Sequence, residues 1–142
     1  MNPMIRQLSI FAENKKGAMN RITQILFDAH INMNTLITND SAEYGIVRML
    51  VSDTDRAESV LRENGYMCHS ESVIAAEIGD ECGSLNRLLE IISAGNINLD
   101  YLYVTFNALS RLPVAILHTA DLPEVQAFLQ SRGYRTLSRI VE

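Results

Sequence analysis

The chain has no apolar run approaching the roughly 18 residues of a membrane-spanning helix. Nor does it open with a basic head, an apolar stretch and a small-residue cleavage site in that order. Insertion into a membrane and secretion are therefore not expected, which leaves a cytoplasmic address. Cysteine is scarce: Cys68 and Cys82 are too few to staple 142 residues and do not form a CxxC pair, so two reduced thiols are expected. Positive charge is in the minority. A net charge of −5 would repel a phosphate backbone, so nucleic acid is not an expected partner.

Catalytic patterns are missing as well. There is no serine-centred elbow, no glycine-rich phosphate loop and no HExxH. His30, His69 and His118 lie far apart in the chain and are expected to be incidental. Cys68, His69 and Cys82 lack a fourth ligand, and two of them are adjacent, so no metal site is expected. Asp53, Asp55, Asp121 and Glu124 read as helix starts, where the positive end of the helix dipole favours a carboxylate. Neither enzymatic activity nor a cofactor is expected on these grounds.

What the chain does contain is a copy of itself. GAMNRITQILFDAHINMN from Gly17 to Asn34 returns as GSLNRLLEIISAGNINLD from Gly83 to Asp100, displaced by 66 positions, 83 − 17. Gly17/Gly83, Asn20/Asn86, Arg21/Arg87, Ile25/Ile91, Ile31/Ile97 and Asn32/Asn98 are identical, where chance predicts roughly one identity. Further on the displacement is 68, 121 − 53, and keeps Asp53/Asp121, Leu61/Leu129, Gly65/Gly133 and Tyr66/Tyr134. A repeat this long is a small domain rather than a solenoid unit. Residues 1–70 and 71–142 are read as its two copies.

Each copy has the same hydrophobic pattern. Alternation around Leu8, Ile10 and Ala12 predicts a strand over Met4–Ala12, and Met19, Ile22, Ile25, Leu26 and Ala29 predict a helix with one apolar face. Strands follow at Asn32–Thr38 and Ile46–Val51, joined by a hairpin loop at TNDSAEYG. A second helix starts at Asp53 and stops at Gly65, and a fourth strand runs Tyr66–Glu71. The second copy predicts strands at Ser72–Ile78, Asn98–Phe106, Pro113–Thr119 and Tyr134–Val141. Its helices are Ser84–Ala94 and Leu122–Arg132, the latter opened by a capping-box-like Asp121 and Glu124. Twice over this is a βαββαβ order, which folds as a four-stranded antiparallel sheet with both helices on one face. The two sheets are expected to join through their second strands into one eight-stranded sheet. The strand pair Asp100–Phe106 and Val114–Leu117, apolar on both faces, predicts an exposed patch and a homodimer.

The matched strand-to-helix turns, ENKKGAM and GDECGSL, set a glycine and following N–H groups at a helix amino end, a place suited to a carboxylate. Fifteen residues after each glycine an Asn, Asn32 or Asn98, opens the next strand with an amide that both donates and accepts. The same residues also suit a tight turn and a strand opening with no ligand, and by themselves they leave both readings open.

With its doubled order and the pattern Gly17, Met19, Ile22, Leu26, Ile31-Asn32-Met33, repeated at Gly83, Leu85, Leu88, Ile92, Ile97-Asn98-Leu99, nearly the whole chain resembles a tandem of ACT domains. These ferredoxin-like modules sense small ligands beside enzymes of amino-acid metabolism. The resemblance implies a stand-alone amino-acid-binding regulatory protein, with a regulated enzyme as partner. It implies one ligand site at Asn14, Lys15, Lys16, Gly17, Ala18 and Met19 with Asn98, and a second at Asp80, Glu81, Cys82, Gly83, Ser84 and Leu85 with Asn32. Lys16 and Cys82 stand where such modules usually carry Pro, and Asp80 replaces the Asn that Asn14 keeps. The alternative is a scaffold or dimerisation module whose ligand site has lapsed.

Overall fold

A computed structural model describes residues 4–13, 16–38 and 44–141. It contains seven strands and four helices among those residues, an α+β fold in which every registered strand pair is antiparallel. The chain divides into two compact units, one holding Arg6–Glu71 and the other Ser72–Ile140. No helix among the described residues is long and apolar enough to cross a membrane.

In the first unit the alternation starting at Ile5 becomes strand β1 (Ile5–Glu13), followed by helix α1 (Ala18–Asp28) and strands β2 (Met33–Thr38) and β3 (Tyr44–Val51). Helix α2 (Thr54–Glu63) and the part of strand β4 (Met67–Glu77) up to Glu71 complete it, the rest of β4 belonging to the second unit. The strand order is β2-β3-β1-β4. Leu8, Ile10 and Ala12 of β1 and Val47, Met49 and Val51 of β3 share one face, and Ile22, Leu26, Ala57 and Leu61 from both helices pack on it. Both helices therefore lie on the same side, as period-two strands with one apolar face require. Burying each such Leu or Ile contributes about 1.5–3 kcal/mol, so together they outweigh the caps and turns.

The second unit repeats this with helix α3 (Ser84–Ala94), strands β5 (Tyr101–Phe106) and β6 (Pro113–His118), helix α4 (Leu122–Ser131) and the short strand β7 (Arg135–Thr136). Its order is β5-β6-β4, with β7 on the other side of β4. Ile74, Ala76, Ile78, Ala115 and Leu117 form the floor under Leu88, Ile92, Val125 and Leu129.

Several expectations are corrected. Tyr66–Glu71 and Ser72–Ile78 are one strand, β4 (Met67–Glu77), because no glycine or proline interrupts that stretch; among the described residues seven strands result instead of eight. The expected pairing of second strands is not registered among the described residues, where β2 pairs with β3 and β5 with β6, each inside its own unit. The last strand is only Arg135–Thr136. Beyond it Leu137 N–H still donates to Ala75 C=O, but Ile140 C=O accepts from Ala108 N–H, which draws the chain off the ladder. Val114–Leu117 are wholly buried within the chain, so the strand pair is not the exposed two-faced patch expected. The exposed apolar residues there are Val104, Phe106, Leu109 and Leu112 around the β5–β6 hairpin. Most of the hairpin loop expected at TNDSAEYG falls outside the described residues.

The helix starts differ too. Asp53 caps α2, its Oδ1 accepting from Arg56 N–H at 3.1 Å. Asp121 makes no such bond to α4, contrary to the capping-box reading; Pro123 at the second helical position has no N–H to offer. Asp53→Ala should therefore lower unfolding free energy in urea by about 1 kcal/mol. The matching Asp121→Ala should lower it by no more than a few tenths, and equal losses would show that Asp121 caps after all.

Candidate functional site

Each copy turns from strand to helix through a glycine in the left-handed region, Gly17 at φ 86° and Gly83 at φ 89°. An L side chain there would be strained by about 1–2 kcal/mol, although both positions open onto space. Neither α1 nor α3 has a side-chain cap, and neither has an acidic residue in its first turn. Arg21 N–H and Arg87 N–H are the donors that reach the glycine carbonyls, at 3.0 and 2.9 Å, so the amides before them have no carbonyl within the helix.

The two turns are otherwise unlike. At the first, Lys16 and Gly17 are exposed, Ala18 is buried, and Met19 packs on the core. Asn14 and Lys15 lie outside the described residues. At the second, Ser84 N–H donates to Glu81 C=O and Glu81 N–H donates to Ser84 Oγ, so the turn closes on itself. Asp80, Glu81, Cys82 and Gly83 are exposed and Leu85 packs on the core.

Within a unit, neither turn meets its asparagine. Asn32 stands beyond the far end of α1, its N–H donating to Ser52 Oγ and its C=O accepting from Ser52 N–H. An 11-residue helix separates it from Gly17 by roughly 16 Å. Asn98 stands likewise beyond α3, three residues ahead of β5 rather than at its start. Its C=O accepts from Thr119 Oγ1, in a cleft of 310 Å³ shared with Gly95, Asp121, Glu124 and Phe128.

His118 is not incidental. Its Nδ1 lies 2.9 Å from an Asp100 carboxylate oxygen, and its ring stacks on Tyr101 with 5.1 Å between centroids. The register of β5 against β6, Tyr101 opposite His118, puts them together and fixes the end of the strand pair.

Unanticipated is a cleft formed twice from matching residues. In the first unit a 390 Å³ cleft is lined by Phe11, Glu13, Arg21, Gly65, Tyr66 and Met67. In the second a 290 Å³ cleft is lined by Gly79, Glu81, Ser84, Arg87, Arg132 and Tyr134. The second wall arises the same way in both: Gly65 and Gly133, at φ 88° and 89°, end α2 and α4. Tyr66 N–H and Tyr134 N–H then bond back to Leu61 and Leu129 carbonyls, swinging each tyrosine into the cleft. Arg21 lies 5.3 Å from the Tyr66 ring centroid and donates to Asn64 C=O. Arg21/Arg87, Gly65/Gly133 and Tyr66/Tyr134 were legible in the sequence as marks of duplication. Their signal as a site was that Arg21 and Arg87 recur although both are exposed, where core packing demands nothing.

Residues 3–124 match the family described as an ACT domain pair. No curated protein matches the chain. Among solved structures, a protein from Bacteroides thetaiotaomicron is similar at 26% identity and TM-score 0.86, over 96% of this chain and 95% of that one. The ligand-free regulatory subunit of aspartate kinase from Thermus thermophilus is similar in fold at 12% identity and TM-score 0.65, over 92% and 91% of the two chains. The aspartokinase alpha and beta subunits give 15% identity and TM-score 0.56, over 91% and 95%.

The two thiols sit in opposite surroundings. Cys82 is exposed in the second turn. Cys68 is buried on β4, and burial pushes its thiol above the usual range, against the lowering hydrogen bond and charge of Arg62. A disulfide reagent at pH 8 should therefore modify one thiol per native chain, Cys82, and reach Cys68 only on unfolding. Rapid modification of both in the native protein would contradict the buried placement of Cys68.

Proposed function

The chain belongs to the ACT domain pair family, and from that membership we propose that it is a non-catalytic regulatory protein that binds an amino acid at its strand-to-helix turns. The observation that carries the reading is the shape of the helix starts. Asp53 occupies the amino end of α2, whereas α1 and α3 begin at left-handed glycines with no side chain on their first amides. Amides so placed suit a ligand carboxylate. Residues 1–70 and 71–142 are the two ACT-like modules of this reading.

The stronger site is the first turn: Gly17, Ala18 and Met19 amides, the positive charge of Lys16, and Asn14 and Lys15 ahead of them. Each turn lies a helix length from its own asparagine, so the completing amide belongs to another module, Asn98 for the first turn and Asn32 for the second. The second turn, Asp80 to Leu85, is acidic and uses the Ser84 hydroxyl internally, which supports a weaker or lapsed site there. Should both turns have lapsed, the protein is a scaffold. Regulation of an enzyme of amino-acid metabolism fits the fold shared with aspartate kinase regulatory subunits. A cytoplasmic homodimer belongs to the same reading, with Phe106, Leu109 and Leu112 as exposed apolar contacts.

A thermal-shift panel of the twenty amino acids tests this. A ligand at 100 times its dissociation constant adds about 2.7 kcal/mol to stability. Asn98→Ala should weaken the binding that the panel reveals by about ten- to a hundred-fold, the cost of one hydrogen bond to a charged group, and Asn32→Ala should weaken it less. A flat panel would move the protein to the scaffold reading; an Asn98→Ala variant with unchanged affinity would displace the ligand from this site.

A further inference from the structure

The duplicated cleft has kept its shape and changed its charge. In the first unit the charged side chains lining it are Arg21 and Glu13, one of each sign, among Phe11, Tyr66 and Met67. In the second they are Arg87, Arg132 and Glu81, and the aromatic wall is reduced to Tyr134. The excess cation is Arg132, which occupies the place of Asn64 at the displacement of 68 that relates Gly65 to Gly133. Its guanidinium lies 5.0 Å from the centroid of the Phe128 ring, a residue that lines the neighbouring cleft around Asn98, so Arg132 stands on the rim shared with that cleft.

We propose that this second cleft, which borders the acidic second turn through Glu81 and Ser84, is a binding site for a small dicarboxylate, distinct from the stronger first-turn site of the proposed function. Arg87 belongs to the first turn of α3 and Arg132 follows the last turn of α4, so the two arginines that line the cleft come from different elements. Each guanidinium is a planar fork that matches one carboxylate with two parallel bonds, and two forks on two elements match two carboxylates. Glu81 offsets one of the two positive charges, so the cleft carries a net charge of about +1, against about zero in the first cleft. At 290 Å³ it stands at the lower end of small-molecule sites, the size for a chain of four or five carbons rather than a nucleotide. The first cleft, with one arginine already donating to Asn64 C=O, holds no second fork.

Succinate, which has two carboxylates and no ammonium group, is the probe, titrated at constant ionic strength into ¹⁵N-labelled full-length protein. Gly133 and Tyr134 amides should move in a saturable way while Gly65 and Tyr66 stay in place, and acetate should leave all four unmoved. Arg132→Asn, which installs the residue of the first cleft, should weaken succinate about ten- to a hundred-fold, while Arg132→Lys should retain part of the affinity. The spectrum itself reports whether each variant folds. Succinate moving both clefts alike, or neither, would overturn the proposal, as would inorganic phosphate binding at Gly133 more tightly than succinate. An amino-acid panel that is flat while succinate still moves Gly133 removes the regulatory reading and leaves this one standing. Amino-acid shifts at Gly17 with a silent Gly133 do the reverse.

Discussion

The structure depends on six residues whose backbones are left-handed: Gly17, His30, Gly65, Gly83, Asn96 and Gly133. They stand where the chain enters α1 and α3 and where it leaves all four helices. At each exit the same pair of backbone bonds closes the helix. His30 N–H reaches Phe27 C=O and Ile31 N–H reaches Leu26 C=O, and the pattern recurs at Asn96 and Ile97, Gly65 and Tyr66, and Gly133 and Tyr134. These reversals fold every helix back over its sheet and bring the apolar face down on alternate strand residues. Where the residue is His30 or Asn96, the backbone carries a cost that the packing of the buried Ile31 and the partly buried Ile97 on their cores offsets.

Much of this was legible from spacing. Helix ends at Gly65 and Gly133, the alternation of β1, and the doubled order all follow from local chemistry, and in each unit two helices cover one face as such an order requires. What sequence did not reveal is where a strand stops. Tyr66 to Ile78 contains neither proline nor an internal glycine, and division into two strands came from the repeat rather than from any breaker. The end of the chain failed in the opposite direction. Tyr134–Val141 has strand-like residues, yet a hydrogen bond from Ala108 to Ile140 takes its second half elsewhere, a long-range contact that no local pattern carries.

The candidate site was legible in its backbone and not in its side chains. A glycine followed by helical spacing was enough to find both uncapped helix starts. The arginines and tyrosines of the clefts are far apart in sequence, and only folding brings Arg21 beside Tyr66 or places Arg87 and Arg132 around one cleft. His118 was missed for the same reason: its partner Asp100 is 18 positions away and is reached only through the strand register. Asp121 was the reverse case, a residue with the right identity and spacing whose cap is not formed.

The unbroken β4 has a consequence for how such a chain can change its length. Cys68 faces the core of the first unit, and Ile74 and Ala76, all at even-numbered positions, face the core of the second. Side chains on a strand alternate between two faces, so the join carries a parity, much as a coding sequence carries a reading frame. One residue inserted after Glu71 would turn Ile74 and Ala76 out of their core and bring Val73 and Ala75 in. Two would restore the faces and shift only the pairing. Duplicated modules fused through a shared strand, unlike modules joined by a linker, therefore tolerate length changes at the junction in steps of two.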